Sequence, residues 1–464
     1  MARGILADPK VASGIELFEA WTESQMAYRG QPGLSVGIVH DQALIWSRGF
    51  GYADLERRVP ATPATVYRIA SITKLFTSTA ILQLRDEGAL QLDDPLAKHL
   101  PWFSIRNPHA DRPPVTIRHL LTHAGGLPRE AAFPYWNTGE FPDEEAIRTA
   151  LRDQELPIPT GSDWKYSNLG MALAGEIVAA VSGMAYAAYV QKNILGPLRM
   201  QNTFVDAIPA DHPLLATGYG RRMPDNSREL SPYTDCRGIG PAANMASSVE
   251  DLAKFTALQF RSGGRKGKQV LAGSSLEEMH RVHWLNDDWK AGRGLGFYVW
   301  RLGERTLVGH GGALQGYRTE LQFAQADKVG VIVMTNADDG LPMTYVEKLF
   351  QWVVPPIVAA AAQAGGKAPS PVEAWQAYTG RYRNAWGDSQ VLIYEGELAI
   401  VFPADPDPVA GMVKLKPVGP HTFRMETKEH FDSKGELAVF EVDAGGKVLR
   451  LTTGSSYTFP VADW

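Results

Sequence analysis

A chain of 464 residues, 44% apolar and 21% charged, has room for two or three domains and the composition of a folded rather than a disordered protein. Its net charge of -5 offers no basic footprint for nucleic acid. The single cysteine, Cys236, excludes an intramolecular disulfide and a cysteine-based metal cluster, and no run approaches the ~18 apolar residues that span a bilayer.

The first residues, Met1 to Lys10, lack the apolar core of a secretory signal, so a soluble, cytoplasmic protein is expected. Ile15, Leu17, Phe18, Trp21 and Met26 recur near helical spacing and predict an amphipathic helix over residues 10–28. Two strand-like runs follow, Gly33 to Val39 and Ala43 to Trp46, and predict a hairpin across His40-Asp41-Gln42. The first holds Gly33-Leu34-Ser35-Val36-Gly37, a literal G-x-S-x-G. That motif works where a strand turns sharply into a helix and exposes its serine. Here Ile38 and Val39 continue the strand, so Ser35 is read as structural.

The chain then passes Pro60 and Pro63 and reaches Ala70-Ser71-Ile72-Thr73-Lys74, which opens the apolar run Leu75 to Leu84. The run holds no Pro or internal Gly, and Gly88 stands where a helix ends. On a helix, Ser71 and Lys74 share one face, with Ser71 in the first turn. There, free N–H groups and the helix dipole favour developing negative charge. Ile69, Ile72, Leu75 and Phe76 surround Lys74, and apolar surroundings lower the pKa of an ammonium. A neutral amine beside a hydroxyl is a base beside a nucleophile. Taken alone, S-x-x-K fits a capping serine and a solvated lysine equally well.

His119 and His123 are four apart on a predicted helix, a spacing that can bind zinc. No Glu lies between them in the metalloprotease arrangement and no third ligand is evident, so no metal and no cofactor are expected. Residues 131–142 are rich in aromatics and turn formers, which suits a loop over a site or a satellite hydrophobic cluster. Tyr166-Ser167-Asn168 stands at a loop–helix junction, where Tyr166 and Asn168 can point together into a cleft or Asn168 can simply cap its helix. Helices are expected over 185–204 and 249–260, on either side of a polar, Gly/Pro-rich stretch at 207–240. A strand, Thr306 to Gly309, runs into His310-Gly311-Gly312-Ala313. Tyr317 to Phe323 and Val329 to Asn336 are the next strands, and a helix follows from Met343 to about Ala362. Ala359 to Pro371 has the composition of a linker. Beyond it, short alternating segments (391–394, 398–402, 412–415, 422–425, 438–442, 448–451) predict an all-β module.

Ser71-x-x-Lys74, Tyr166-x-Asn168 and His310-Gly311-Gly312 stand in order, each at its own element boundary. With Tyr67-Arg68-Ile69-Ala70, Leu120 to Pro128 and Met245 to Leu252, they make the chain resemble the serine β-lactamase and penicillin-binding-protein superfamily. The likeness is greatest to its class C branch, which includes family VIII carboxylesterases and D-amino-acid-specific peptidases. It covers about residues 12–360. The tail from Tyr378-Thr379-Gly380-Arg381-Tyr382 is similar to the lipocalin-like domain of some members.

The resemblance implies an α+β fold. A helical domain would stand beside an antiparallel sheet flanked by helices, over residues 1–363, followed by a small all-β barrel-like domain over 364–464. It implies a serine hydrolase in which Ser71 is acylated and Lys74 and Tyr166 share the base role, either as a neutral amine or as a phenolate held by nearby cations. Backbone N–H groups of Ser71 and Ala313 would form the oxyanion hole. Asn168, His310, Gly311, Gly312 and Glu130 would contact substrate. Two departures bear on the substrate. His310 stands where many β-lactamases carry a lysine, and histidine is mostly neutral at pH 7. Glu130 stands where class C enzymes place a glutamine, and its carboxylate would repel acidic substrates or receive an ammonium. A carboxylesterase for short-chain acyl esters is expected first, then a D-amino-acid peptidase or amidase, then a β-lactamase. The substrate is a small ester or amide, with no nucleic acid or membrane partner, and the oligomeric state is open.

Overall fold

Val329–Thr335, the most strand-like run of the chain, lies inside a nine-stranded antiparallel sheet. A computed structural model of the protein describes residues 2–109, 111–131, 134–261, 269–364, 375–394, 397–402, 411–427 and 433–461. Numbered along the chain, the strands before it are β1 (Gly33–His40), β2 (Ala43–Asp54), β3 (Val59–Pro60), β4 (Val66–Arg68) and β5 (Ala246–Ser248). Then come β6 (Trp284–Leu285), β7 (Ala291–Arg293), β8 (Tyr298–Leu302), β9 (Arg305–Leu314), β10 (Tyr317–Ala324) and β11 (Val329–Thr335). The sheet order is β3-β2-β1-β11-β10-β9-β8-β7-β6, so the amino-terminal hairpin closes onto the last strand, while β4 and β5 pair separately. The hairpin forms as expected. Ser35 lies wholly buried on β1, with its hydroxyl 2.8 Å from the Thr62 carbonyl and 2.9 Å from the Tyr67 hydroxyl.

Helices cover both faces of the sheet. Leu34, Val36 and Ile38 of β1 and Val329, Val331 and Val333 of β11 bury one face against the helices Pro9–Arg29, Pro342–Trp352 and Val354–Ala364. Ile332 and Met334 of β11, with Leu321 and Phe323 of β10, turn the other way. They belong to the larger core, which includes the helices Thr73–Asp86, Asn168–Ser182 and Val249–Gln259. Every residue from Thr73 to Leu84 is buried, and Phe76 stacks on Phe255 at 4.1 Å. That helix passes its end at Gly88, whose φ of +76° suits glycine.

Two expected helices differ from their predictions. The one near 343–362 is broken at Val353, because Pro355 and Pro356 follow and proline cannot sit inside a helix without losing a hydrogen bond. The one near 185–204 ends at Leu198, where Arg199 takes a left-handed conformation.

By contacts the chain divides into two units, Met1–Ala364 and Gly365–Trp464. The second is a closed eight-stranded antiparallel barrel of β12 (Gly380–Asn384), β13 (Gly387–Tyr394), β14 (Glu397–Val401), β15 (Val413–Gly419), β16 (Thr422–Glu426), β17 (Leu437–Val442), β18 (Val448–Thr453) and β19 (Ser456–Pro460). Val391, Leu398, Leu415, Phe423, Leu451 and Tyr382 fill its interior, and Tyr378 stacks on Phe440 at 4.5 Å. In a barrel this small the inward side chains make a packed core. The fold is therefore α+β, followed along the chain by a closed barrel. Most of the predicted linker, residues 365–371, lies outside the described residues.

Candidate active site

Strand β4 delivers the chain to Ser71 through a tight corner. Ile69 donates its N–H to the Met245 carbonyl at 2.9 Å, Ala70 adopts a φ of +45°, and Ala70–Ile72 form one 3-10 turn before the helix begins at Thr73. A left-handed alanine costs on the order of 1 kcal/mol, and such strain concentrates at functional sites. Strand β9 crosses close to this corner. A Cβ on Gly312 would stand 2.2 Å from the Ile69 carbonyl oxygen and 2.3 Å from Thr319 Oγ1, so only glycine lets the strand come so near. Strand β8 pairs with β9 only as far as Gly309. The segment from His310 to Ala313 thus has a strand neighbour on the β10 side alone among the described residues.

Ser71 is half-buried, whereas Lys74 one turn on is wholly buried. Lys74 Nζ lies 3.0 Å from Ser71 Oγ, 2.8 Å from Asn168 Oδ1 and 2.8 Å from the Ala242 carbonyl oxygen. Burial pushes its ammonium down to about 7; Glu130 pulls it up and Arg129 pushes it down further. Asn168 Oδ1 and the Ala242 carbonyl can only accept. They claim two N–H groups of a neutral amine, and its lone pair is left facing Ser71 Oγ.

Tyr166 donates its hydroxyl to Ser71 Oγ at 2.9 Å. Lys74 Nζ lies 4.9 Å from the centre of its ring and the Arg129 guanidinium 5.1 Å. Burial, with Tyr298 nearby, nevertheless raises the phenol well above its ordinary value. Cations over the ring face do not compensate for desolvation of the oxygen, so Tyr166 stands beside Ser71 as a neutral donor, and the phenolate alternative does not fit its surroundings.

Asn168 and Glu130 were expected to hold substrate. Their polar atoms are engaged with one another and with Lys74 and Tyr135. Asn168 Nδ2 donates to Glu130 Oε1 at 2.6 Å while its Oδ1 accepts from Lys74, and Ser167 rather than Asn168 caps the helix. Glu130 Oε2 accepts from the Tyr135 hydroxyl at 2.5 Å. Tyr135 belongs to the aromatic stretch at 131–142, and its ring lies 4.8 Å from that of Phe141 inside the main core. Ala132 and Phe133 of that stretch lie outside the described residues.

His310 is 2% exposed, its Nδ1 lies 2.6 Å from the Gly311 carbonyl oxygen, and its ring stacks on Tyr298 at 4.5 Å. Burial, with Lys74 nearby, depresses it to about 3, so this strand carries no charge beside the nucleophile. Behind it the Arg293 guanidinium is clamped between Trp164 at 3.9 Å and Tyr298 at 4.1 Å. On the opposite face of the sheet, Glu320 of β10 lies against Gly311. It is buried, with Gln322 Nε2 donating at 2.7 Å, and burial raises it to about 7.

Sequence reasoning missed Trp164, Arg293, Tyr298 and Glu320, which sit in no motif; Glu320 lies in a strand that also carries Arg318, Thr319 and Gln322, so nothing in its run marks it out. His119 is engaged with Thr116 in a capping box, and His123 Nδ1 accepts from the Ser167 N–H at 3.2 Å. No cluster of three metal-ligating side chains occurs among the described residues.

A family model described as Beta-lactamase matches residues 18–352. Beta-lactamase-like protein 2 of Dictyostelium discoideum is 28% identical over 373 residues, 78% of this chain and 67% of that protein. The chain spans about two thirds of the length of the curated relatives it matches. The octameric penicillin-binding protein homologue from Pyrococcus abyssi has a TM-score of 0.64 at 25% identity, covering 96% of this chain and 99% of that one. EstCE1, a hydrolase with promiscuous acyltransferase activity, has a TM-score of 0.63 over 75% of this chain and 100% of its own, and at 21% identity that likeness shows the fold alone.

Proposed function

The chain belongs to the beta-lactamase family of serine hydrolases, and we propose that it is a carboxylesterase for short-chain acyl esters, working through an acyl-enzyme on Ser71. What carries the proposal is the setting of Lys74, a buried amine with acceptors on two sides and Ser71 Oγ on the third. Ser71 Oγ attacks the ester carbonyl carbon and its proton passes to Lys74 Nζ. The N–H groups of Ser71 and of Ala313, on the free segment of β9, receive the oxyanion; one such donor is typically worth ~10²–10³ in rate. Lys74, with the Tyr166 hydroxyl in reach of the same oxygen, returns the proton to the departing alkoxide. The same pair then takes a proton from the water that releases the acid.

Two observations favour an ester over the alternatives. His310 is neutral, so the strand offers no cation for the carboxylate of a β-lactam. Both Glu130 oxygens already have partners, which leaves less for the ammonium of a D-amino-acid substrate. A D-amino-acid amidase remains the second reading, because the carboxylate is there.

The test is a side-by-side panel of nitrophenyl butyrate, a chromogenic cephalosporin and a D-alanine anilide. Butyrate should be the best substrate. Ser71→Ala should abolish its hydrolysis, by ~10³-fold or more, and Ser35→Ala should retain most of it. Fluorophosphonate labelling of Ser35 in place of Ser71, or faster anilide than ester hydrolysis, would reverse the assignment.

A further inference from the structure

The amide of Asn168 can face Lys74 with its oxygen or with its nitrogen, and the two choices do opposite things to the base. The oxygen accepts from an amine N–H and leaves the lone pair on Ser71. The nitrogen would donate into that lone pair and remove the base from the reaction. We propose that Glu130 is a positioning residue that settles this choice: as an acceptor, it holds Asn168 Nδ2 and so keeps the amide oxygen on Lys74. The role presupposes the acyl-enzyme chemistry on Ser71.

Glu130 is placed to do this firmly. Asn168 Nδ2 reaches Oε1 at 2.6 Å, the Tyr135 hydroxyl reaches Oε2 at 2.5 Å, and Arg129 Nε stands 3.4 Å from Oε1. The backbone is tied as well, since Asn168 N donates to the Arg129 carbonyl at 2.8 Å. Tyr135 is wholly buried, so the carboxylate is gripped from the core side. A glutamine at 130 would carry a donor and an acceptor, and could satisfy the amide in either orientation.

Glu130 also acts by its charge. The groups that face Lys74 are Glu130 and Arg129 from the loop after the Ile117–Thr122 helix, His123 at the end of that helix, Tyr166 ahead of the Asn168–Ser182 helix, Cys236, and His310 of β9. Burial holds His123 and His310 far below their ordinary values, so both stay neutral, and it raises the Cys236 thiol to about 11. Among these groups Glu130 is the anion that favours the ammonium. Glu130→Gln therefore has two separable consequences: Lys74 loses its proton at lower pH, and the neutral amine is less often correctly aimed.

The experiment is the pH profile of kcat/KM for nitrophenyl butyrate in the wild type, Glu130→Gln and the double variant Glu130→Gln with Asn168→Asp. Rates are scaled to the folded fraction from circular dichroism. Glu130→Gln should lower the plateau ~10-fold, the worth of a hydrogen bond to a charged group. Its acid limb should move down by ~0.5 pH unit or more, and the loss should fall on kcat rather than KM. Aspartate at 168 can only accept, so the double variant should recover most of the plateau, with the acid limb above that of the wild type. An unchanged plateau in Glu130→Gln overturns the proposal, as does a loss confined to KM for the D-alanine anilide, or a double variant as slow as the single one. Ser71→Ala in the same assay keeps the two questions apart: if it is active, the acyl-enzyme chemistry fails whatever Glu130 does.

Discussion

The two units of this chain bury different things. The first takes Lys74, Arg68, Arg293, His310 and Glu320 out of water, and none of the five forms an ion pair among the described residues. The barrel buries aromatic and aliphatic side chains; its buried polar residues among those described are Ser389, Thr427 and Thr458, all uncharged. Its ion pairs, Lys416–Glu426 and Arg450–Glu441 among them, lie at the surface. Burying a charge costs free energy unless it is paired, and replacing it by an apolar group often stabilises a protein. A unit that keeps buried ionisable groups outside ion pairs, even where burial neutralises them as at His310, gives up stability that apolar side chains would supply. The contrast sets a unit built around buried ionisable side chains against one whose buried side chains, among those described, are uncharged.

The sharpest way to break this contrast is at Lys74. Lys74→Ala and Tyr166→Phe should each slow acylation by ~10²-fold or more, as loss of a positioned base does. The double variant should lose much less than the product, because both groups serve one proton path. With the neutral amine as the proposed base, kcat/KM of the wild type should rise with pH through a limb near 7 and then level. A tyrosinate base would put the limb far higher, because burial raises that phenol. Stopped-flow acylation across pH distinguishes the two, and strictly multiplicative losses would show that the groups act separately.

A smaller effect is expected at Glu320. Its carboxyl is raised from 4.5 to about 7 by burial, so the folded state holds a proton that the unfolded chain releases earlier. The stability tied to this group is whole below pH 4.5 and is lost as the pH rises through 7. Glu320→Gln should remove that loss, gaining on the order of 3 kcal/mol at pH 8 and little at pH 5. Urea unfolding at the two pH values measures it; an equal change at both would mean that packing, not the proton, sets the difference. Smallest of all should be Lys416→Ala in the barrel. Its partner Glu426 is 2.8 Å away, with both side chains about half exposed, so less than about 1 kcal/mol should go. A loss of several kcal/mol would show that the barrel, too, depends on placed charge.

Ser71 and Lys74 were legible in the sequence because helix geometry makes a three-residue spacing a contact. The hairpin β1–β2 and strand β11 were legible through alternation and β-branched residues. What escaped is non-local or patternless. Strands β6 and β7 are two and three residues long and offer no period to read. Gly380-Arg-Tyr-Arg-Asn384 is too polar to announce β12, which closes the barrel against β19. Asn168 and Glu130 were picked out by position, but their partners were not, because 38 residues separate them and only the fold decides which way an amide faces. The burial of His310 follows from Tyr298 stacking on it from the neighbouring strand, and nothing around His310 in the sequence reports that.

The corner at Ala70 sets two selective pressures against each other. An alanine at a φ of +45° would be relieved by glycine, which adopts such angles freely. A search for heat-resistant variants would be drawn to this position. Yet the residue that would relax there is the one holding Ser71 at a fixed angle to its base. Glycine would widen the range of orientations that the hydroxyl can take up. A laboratory lineage rewarded only for survival at high temperature could thus drift toward a sturdier, slower protein through one methyl group, whereas a lineage rewarded for turnover would keep it.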